Sequence, residues 1–354
     1  MPPRRRKRLD PASFDLPVEK LRGGAYTDRA TRRAGEVVAA DAPGPQVTLQ
    51  ISSERAGVLA GTDEAIALLK LACEDWSALV VHALYDGDRV EGAEAVMTIE
   101  GPYALFAQLE PLVLGILARR TRIATYTRLL AEAARIKPVL VFTSRHDVWP
   151  AHAGDSHAVG VGGGYAASDD MALSGRAAPK TAIVPYALIA ASEGDAVRAA
   201  QRFAEHVGDG VELLVPADYE NDSTRTAVEV ARAMAGRLWG VRLATSDYLV
   251  DRSIFPMMGT FPPTGVNPQL VWNVRNALDA EGFGEVRIVA TGDFGVDRIR
   301  RYEEDGVPVD AYGVPVTLFG TRYGFAADVV SVNGKPQARV GREARASARL
   351  EKVK

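Results

Sequence analysis

From Lys137 onward, short apolar runs return along the chain: KPVLVFTS, TAIVP, VELLVPA, GVRLATS, VRIVAT and VDAYGV. Between most of them the apolar positions switch to a helical period, as in AVRAAQRFAEHV, TRTAVEVARAMAGRL and NPQLVWNVRNALDAEG. Continuous apolar runs suit strands buried on both faces, and helical links between strands suit parallel pairing. The pattern predicts an α/β fold, most simply a (β/α) barrel. Six runs are fewer than the eight of a regular barrel, so an irregular one is expected.

Upstream the rhythm differs. Residues 47–60, VTLQISSERAGVLA, alternate as a strand does. GTDEAIALLKLACEDW reads as an amphipathic helix with Gly61 and Thr62 at its start. The segment around Asp86-Gly87 reads as hairpin-rich, and Ala104 to Leu130 has a helical pattern. After Tyr323, an Asn333-Gly334 turn between two short strands predicts a hairpin that rejoins the first domain. The expected division is a disordered basic arm over 1–20, an α+β domain from 21–132 plus 325–354, and a barrel over 133–324.

Composition narrows the class. The chain has 354 residues, 47% hydrophobic and 25% charged, the proportions of a globular protein with a sizeable core. A formal net charge of −3 gives no global drive toward nucleic acid or anionic membrane. No apolar run has the length of a membrane span, and no secretory signal is visible. Cys73 is the only cysteine, which excludes an intrachain disulfide and fits a cytoplasmic setting. Its apolar surroundings, IALLKLACEDW, predict a buried structural thiol.

Candidate chemistry sits where the strands end. KPVLVFTS leads to Phe142 and Arg145, and VELLVPA to Asp218, Asn221 and Asp222. GVRLATS carries Arg242, Thr245, Ser246 and Asp247. VRIVAT runs into Gly292 and Asp293, and VDAYGV holds Gly313. Strand C-termini of a barrel converge on one mouth, and glycine loops there let backbone N–H groups approach a phosphate. Arginine, carboxylates and glycine loops together suit a phosphorylated, metal-chelated substrate. Helix caps and solvated loop charges are the plainer alternative for each residue alone. His146, His152 and His157 have irregular spacing and read as polar loop residues rather than metal ligands. The GVGGG run at 160–164 lacks the downstream acidic residue of a dinucleotide loop.

The order of these segments resembles the nicotinate phosphoribosyltransferase family, with its type II phosphoribosyltransferase fold. The resemblance runs from about Tyr26 to Arg342 and rests on AGVLAGTDEAIALL, IEGPYALFAQLEPLVLGILARRTRIAT, ALIAASEGDAVRAAQRFAE, GVNPQLVWNVRNALDAEGF and GVPVDAYGV. It implies a pyridine mononucleotide made from a pyridine carboxylate and phosphoribosyl pyrophosphate with Mg2+, in NAD biosynthesis. It implies an active site at a homodimer interface. It implies Tyr26 stacking on the pyridine ring from the neighbouring subunit and Phe142 stacking from the other side. Arg145 would serve the carboxylate or phosphate. Asp218, Arg242 and Ser246 would line the ribose and phosphate region. Gly292, Asp293 and Gly313 would hold the 5′-phosphate.

The chain departs from the family pattern at several of these motifs. AIVPYALI puts Tyr186 at the family's phosphohistidine position, where ATP hydrolysis is coupled. RLATS has Ala244 in place of a carboxylate, and YGVP has Pro315, which lacks an N–H, in a phosphate loop. The expectation is a transferase without phosphohistidine coupling, so a role for ATP is doubtful. The alternatives are a non-catalytic paralogue that pairs with an active subunit or binds nucleotide, and a transferase for another heteroaromatic acid.

Overall fold

The computed structural model describes residues 6–41, 44–144, 147–166, 181–208, 211–234, 236–320 and 322–354. The first part comprises α1 (Val18–Arg22), α2 (Arg29–Ala39), β1 (Gln46–Ser53), β2 (Gly57–Val58), α3 (Thr62–Ala72), β3 (Val80–Ala83), β4 (Arg89–Val90), β5 (Ala95–Pro102) and α4 (Glu110–Ala133). Then strands and helices alternate: β6 (Val139–Phe142), α5 (His152–Gly162), β7 (Tyr165–Ala166), β8 (Thr181–Ile183), α6 (Tyr186–Ala191), α7 (Ala196–Val207), β9 (Glu212–Pro216), α8 (Ser223–Ala233), β10 (Leu238–Leu243), α9 (Pro268–Ala280), β11 (Arg287–Thr291), α10 (Val296–Glu304) and β12 (Ala311–Pro315). The chain ends with β13 (Phe325–Val332), β14 (Lys335–Pro336) and β15 (Glu351–Lys352).

Strands from both ends of the chain share one sheet, in the order β14-β13-β1-β5-β3-β15. β1 lies between β5 and β13, antiparallel to both, so the last strands do return to the first part. Val47, Leu49 and Ile51 alternate inward from β1 onto a core that also takes Leu68 and Leu69 of α3 and Leu117 of α4. α3 departs from the amphipathic expectation: every residue from Thr62 to Leu69 is buried. The 3-10 turn at 11–13, α1 and α4 cover the sides that a surface helix would leave wet.

The six apolar runs are all strands, and they pair in parallel in the order β7-β6-β12-β11-β10-β9-β8. The seventh, β7, has two residues and no apolar run to announce it. Among the described residues the edge strands β7 and β8 do not pair, so the sheet is a half-barrel. One face packs Val141, Val241, Leu243, Ile288, Ala290 and Val314 against the surrounding helices. The other packs Leu140, Leu214, Trp239, Val289 and Ala311 against each other. The long helix α4 ties the parts together, with Val113 and Leu117 in the first core and Ile123, Ala124 and Leu130 in the second.

Two glycines of the GVGGG run explain its composition. A Cβ on Gly162 would lie 2.5 Å from the Ala124 carbonyl oxygen, and one on Gly164 2.7 Å from the Thr127 methyl. The run lets α5 and its exit pack closely on α4. Asp86-Gly87 does form a turn, but the strands it joins go to different sheets: β3 pairs with β5 and β15, and β4 with β2. Cys73 is buried, and burial pushes its thiol up.

The basic arm needs correction. From Arg6 onward it carries a 3-10 turn at 11–13 and α1, with Phe14 buried and Arg8 half-buried, and residues 1–5 lie outside the described residues. Arg8 donates to Asp63 Oδ1 at 2.9 Å and to the carbonyls of Ala83 and Leu84 at 2.9 and 3.1 Å. Arg6 and Arg8, read as solvated, have partners more than fifty positions away, which local sequence does not reveal.

Candidate functional site

In a parallel sheet all strand C-termini lie along one edge, and register fixes which side chains share a face. Phe142 pairs with Pro315, Leu140 with Gly313, Gly313 with Thr291, Val289 with Arg242, and Arg242 with Pro216. Phe142, Gly313, Thr291 and Arg242 therefore lie on the face away from the helices. Tyr186 follows β8 and Asp218 follows β9 at the same edge.

Where β8, β9 and β10 end, Tyr186, Asp218 and Arg242 form a cluster. The Tyr186 hydroxyl lies 2.8 Å from both carboxylate oxygens of Asp218, donating its proton between them. The Arg242 guanidinium lies 4.8 Å from the Tyr186 ring centroid, a stacked cation–π arrangement. Burial pushes the Asp218 carboxyl up, against the opposing pull of the Tyr186 hydrogen bond and the Arg242 charge. Burial and the Asp218 charge push the Tyr186 phenol up to about 12, so it stays a donor at neutral pH.

Three polar atoms beside this cluster lack protein partners. Arg242 is 8% exposed and Thr245 6%, yet Arg242 Nε and Thr245 Oγ1 are unpaired. Asn221, held at φ 56°, has an unpaired Oδ1 while its amide donates to the Val250 carbonyl at 2.7 Å. An unpaired buried polar atom costs about 1–3 kcal/mol. Such atoms gathered at one strand edge are what a polar ligand would satisfy. Asp251, fully buried, fixes the surrounding loops by accepting from the backbone and hydroxyls of Ser223 and Ser253.

The remaining sequence candidates divide. Gly292 opens the loop after β11 at φ 125°, with nothing within 4 Å of a built Cβ. Asp293 beside it is exposed, its carbonyl accepting from Arg298 at 3.2 Å. The loop leads to the N-terminus of α10, where the Tyr126 hydroxyl from α4 meets the Val296 N–H. Gly313 departs from the expected phosphate loop. It lies within β12, and a Cβ there would sit 2.3 Å from the Thr291 methyl and 2.9 Å from the Phe142 ring. Gly313 admits the Phe142 ring over the sheet, and its site is filled by side chains. Ser246 is exposed in the loop after β10, its carbonyl accepting from Leu249. Arg145 and His146 lie outside the described residues. Tyr26, at φ 73° in the turn between α1 and α2, is 60% exposed. It lines a cavity of about 710 Å³ with Trp149 and His152.

His152 and His157 are on α5, not in a loop. His157 Nε2 lies 3.0 Å from Asp86, whose other oxygen accepts from the Thr62 N–H at the start of α3. Burial pulls the His157 imidazole down, but the Asp86 hydrogen bond and the nearby carboxylates outweigh it and hold it above its ordinary value. Sequence reading missed the ion network beneath: Arg120 binds both oxygens of Glu64 at 2.7 and 2.9 Å, and Asp155, 0% exposed, takes both Arg119 and Arg120. The only local signal was two adjacent arginines inside an apolar helix.

The mouth offers few metal donors. Both Asp218 oxygens are engaged by Tyr186, Ala244 supplies none, and Asp247 leans toward Arg298 at 4.0 Å. Among the described residues no group of three His, Cys, Asp or Glu could hold an ion. The described side chains at this edge do not by themselves build a Mg2+ site.

Residues 26–121 match the family model described as the quinolinate phosphoribosyl transferase N-terminal domain. A nicotinate phosphoribosyltransferase of Mycobacterium tuberculosis is 29% identical over 244 residues, 66% of this chain. The match spans about half of that relative, 48%. A probable nicotinate-nucleotide pyrophosphorylase (carboxylating) of Methanothermobacter thermautotrophicus is 25% identical over 305 residues, 84% of this chain and 89% of its own length. The crystal structure of nicotinate-nucleotide pyrophosphorylase from Pyrococcus furiosus superposes with a TM-score of 0.77 at 26% identity, covering 98% of this chain and 86% of that one. Human nicotinic acid phosphoribosyltransferase, at 15% identity and TM-score 0.64, shares the fold over 88% of this chain and 75% of its own. The chain is thus similar in sequence both to nicotinate phosphoribosyltransferases and to nicotinate-nucleotide pyrophosphorylases, and it shares the fold of the latter over nearly its whole length.

Proposed function

We propose that this protein transfers a phosphoribosyl group from phosphoribosyl pyrophosphate to a pyridine carboxylate, in NAD biosynthesis, without a phosphohistidine step. The observation that carries the reading is the Tyr186–Asp218–Arg242 cluster with its unpaired Arg242 and Thr245 atoms at the strand edge. The pyridine nitrogen would give its electron pair to the ribose C1 as the C1–O bond to pyrophosphate breaks, the pyrophosphate leaving with those electrons. Positive charge grows on the sugar, where the Asp218 carboxylate can oppose it, and negative charge grows on the leaving group, toward which Arg242 can donate. The Gly292 loop and the first turn of α10 would take the 5′-phosphate. Phe142 would stack on the pyridine, with Tyr26 arriving from a second subunit. Mg2+ would come with the pyrophosphate of the substrate, and no step is assigned to it.

A second reading concerns the acid. The relatives matched over most of both lengths carry the name nicotinate-nucleotide pyrophosphorylase, the curated one carboxylating, whereas the matched nicotinate phosphoribosyltransferase is covered only by half. That coverage favours quinolinate, with loss of CO2, over nicotinate. The same coverage fits the absence of ATP coupling, since Tyr186 holds its hydroxyl on Asp218 and forms no phosphoimidazole. The test offers phosphoribosyl pyrophosphate and Mg2+ with nicotinate or quinolinate, with and without ATP. Mononucleotide formed at the same rate in both cases, without ADP, is expected. ATP consumed in step with product, or an acid-labile phosphate on the protein, would overturn the ATP-free reading. Binding of both substrates without turnover would return the inactive-paralogue reading.

A further inference from the structure

Away from the strand edge, both ends of the described chain meet on α3 and β3. Arg6 to Arg8 lie on one side and β15 on the other, around a cavity of about 320 Å³. Its lining includes six cations, Arg6, Lys7, Arg8, Lys70, Lys352 and Lys354, against two carboxylates, Asp63 and Glu351. Asp88, just outside the lining, is paired with Arg6 at 2.5 Å, so three positive side chains remain in excess, in a chain whose formal charge is −3.

The carboxylates are already engaged. Asp63 accepts from Arg8 and from the Leu9 N–H, both at 2.9 Å, and Glu351 accepts from the Tyr85 hydroxyl at 3.1 Å. Among the described residues Lys7, Lys352 and Lys354 have no carboxylate within ion-pair distance. The wall is rigid where it is deepest. The Arg8 side chain is 15% exposed, stacks 4.0 Å from the Tyr85 ring centroid and is pinned by two carbonyls, while Arg6 stacks on the same ring at 5.3 Å. Converging like charges repel, and this surface keeps them converged around a concavity. A multivalent anion removes that repulsion through charge-assisted hydrogen bonds.

We propose that this cavity binds a small polyphosphate anion of two or three linked phosphates. A single phosphate would neutralise only part of the excess. A long polyanion would need a basic stripe along an extended face rather than a compact concavity. The bound anion bridges Lys7 of the arm to Lys352 of β15, and so ties the two ends of the α+β domain together. It lies one residue from Glu64, the partner of Arg120, so the domain is stiffened beside its ion network. The proposal is independent of which pyridine acid the strand edge takes.

Inorganic tripolyphosphate is the probe. In the full chain carrying Arg242→Ala, which disables the strand edge, calorimetry is expected to show one saturable site whose affinity falls steeply with salt. Adding Lys7→Ala, Lys352→Ala and Lys354→Ala to that chain is expected to weaken binding at least tenfold. In the Arg242→Ala chain tripolyphosphate should raise the melting temperature, and adding the three lysine substitutions should abolish that rise, while in the wild-type background they should leave the KM for phosphoribosyl pyrophosphate unchanged. No saturable binding by the Arg242→Ala chain, or equal affinity with and without the lysines, overturns the proposal. Lysine-dependent binding of a single-stranded oligonucleotide more tightly than tripolyphosphate overturns it too.

Discussion

At the scale of single residues, Tyr186 and Asp218 set the character of the site. A carboxylate buried at a strand end would ordinarily be held neutral or paired with a cation. Here its hydrogen-bond partner is a phenol, and the nearest cation, Arg242, faces the phenol ring. Tyr186→Phe removes that donor and is expected to destabilise the fold by about 1–3 kcal/mol. It also removes a contact that lowers the Asp218 carboxyl, so that group should rise further. A carboxyl whose folded value is raised adds stability below its unfolded value and loses it as pH rises through the folded value. The stability of Tyr186→Phe should therefore fall more than that of the wild type between about pH 4 and 7, which denaturant titrations across that range would check. Tyr186→His should not confer ATP hydrolysis by itself; ADP release in step with product would refute this.

His157 loses stability in the same direction by the same rule, in a window that starts at a higher pH. Its imidazole is held above 6.5 by Asp86, so its stabilising effect is full below that value and lost as pH rises through the folded one. The difference in melting temperature between wild type and His157→Gln is expected to be largest near about pH 6 and to shrink by about pH 8.5. A constant difference would show that the pair contributes through packing alone. Neither pairing was legible in the sequence: Tyr186 and Asp218 are 32 positions apart, His157 and Asp86 71.

At the scale of elements, legibility followed burial. Six strands of the parallel sheet declared themselves because both faces are covered, which forces continuous apolar runs. The two-residue β7 had no such run. α3 looked amphipathic because Asp63, Glu64 and Lys70 are charged, but Asp63 and Glu64 are buried in pairs with Arg8 and Arg120. Gly313 was readable as a special position, while its reason was not. Only the register, with Thr291 and Phe142 as neighbours on one face, shows that it makes room for a ring. Gly313→Ala would push a methyl into Thr291 and Phe142, and is expected to destabilise by about 1–3 kcal/mol. Gly292→Ala meets no such atoms but must hold φ 125°, so it should alter the loop, raising the KM for phosphoribosyl pyrophosphate more than it lowers the melting temperature. Equal effects of the two substitutions on stability would contradict this division.

At the scale of the whole molecule, the aromatic at Tyr26 and the strand edge belong to different parts of the chain. Tyr26 sits in a turn of the α+β domain, 60% exposed, in an unusual left-handed conformation that its own contacts do not explain. Phe142, Asp218 and Arg242 sit on the half-barrel sheet. If Tyr26 completes the stacking slot of a second copy, each active site in a two-fold dimer takes Tyr26 from one chain and Arg242 from the other. Tyr26→Ala and Arg242→Ala chains should then each be inactive as homodimers. Mixed, unfolded and refolded together in equal amounts, about half of the dimers are heterodimers. Each heterodimer has one site with both substitutions and one with neither. Activity should recover to about a quarter of the wild-type value. If every site were built from a single chain, mixing would recover nothing, because each chain would carry its own defect into its own site. The recovered fraction thus decides between a shared site and a self-contained one.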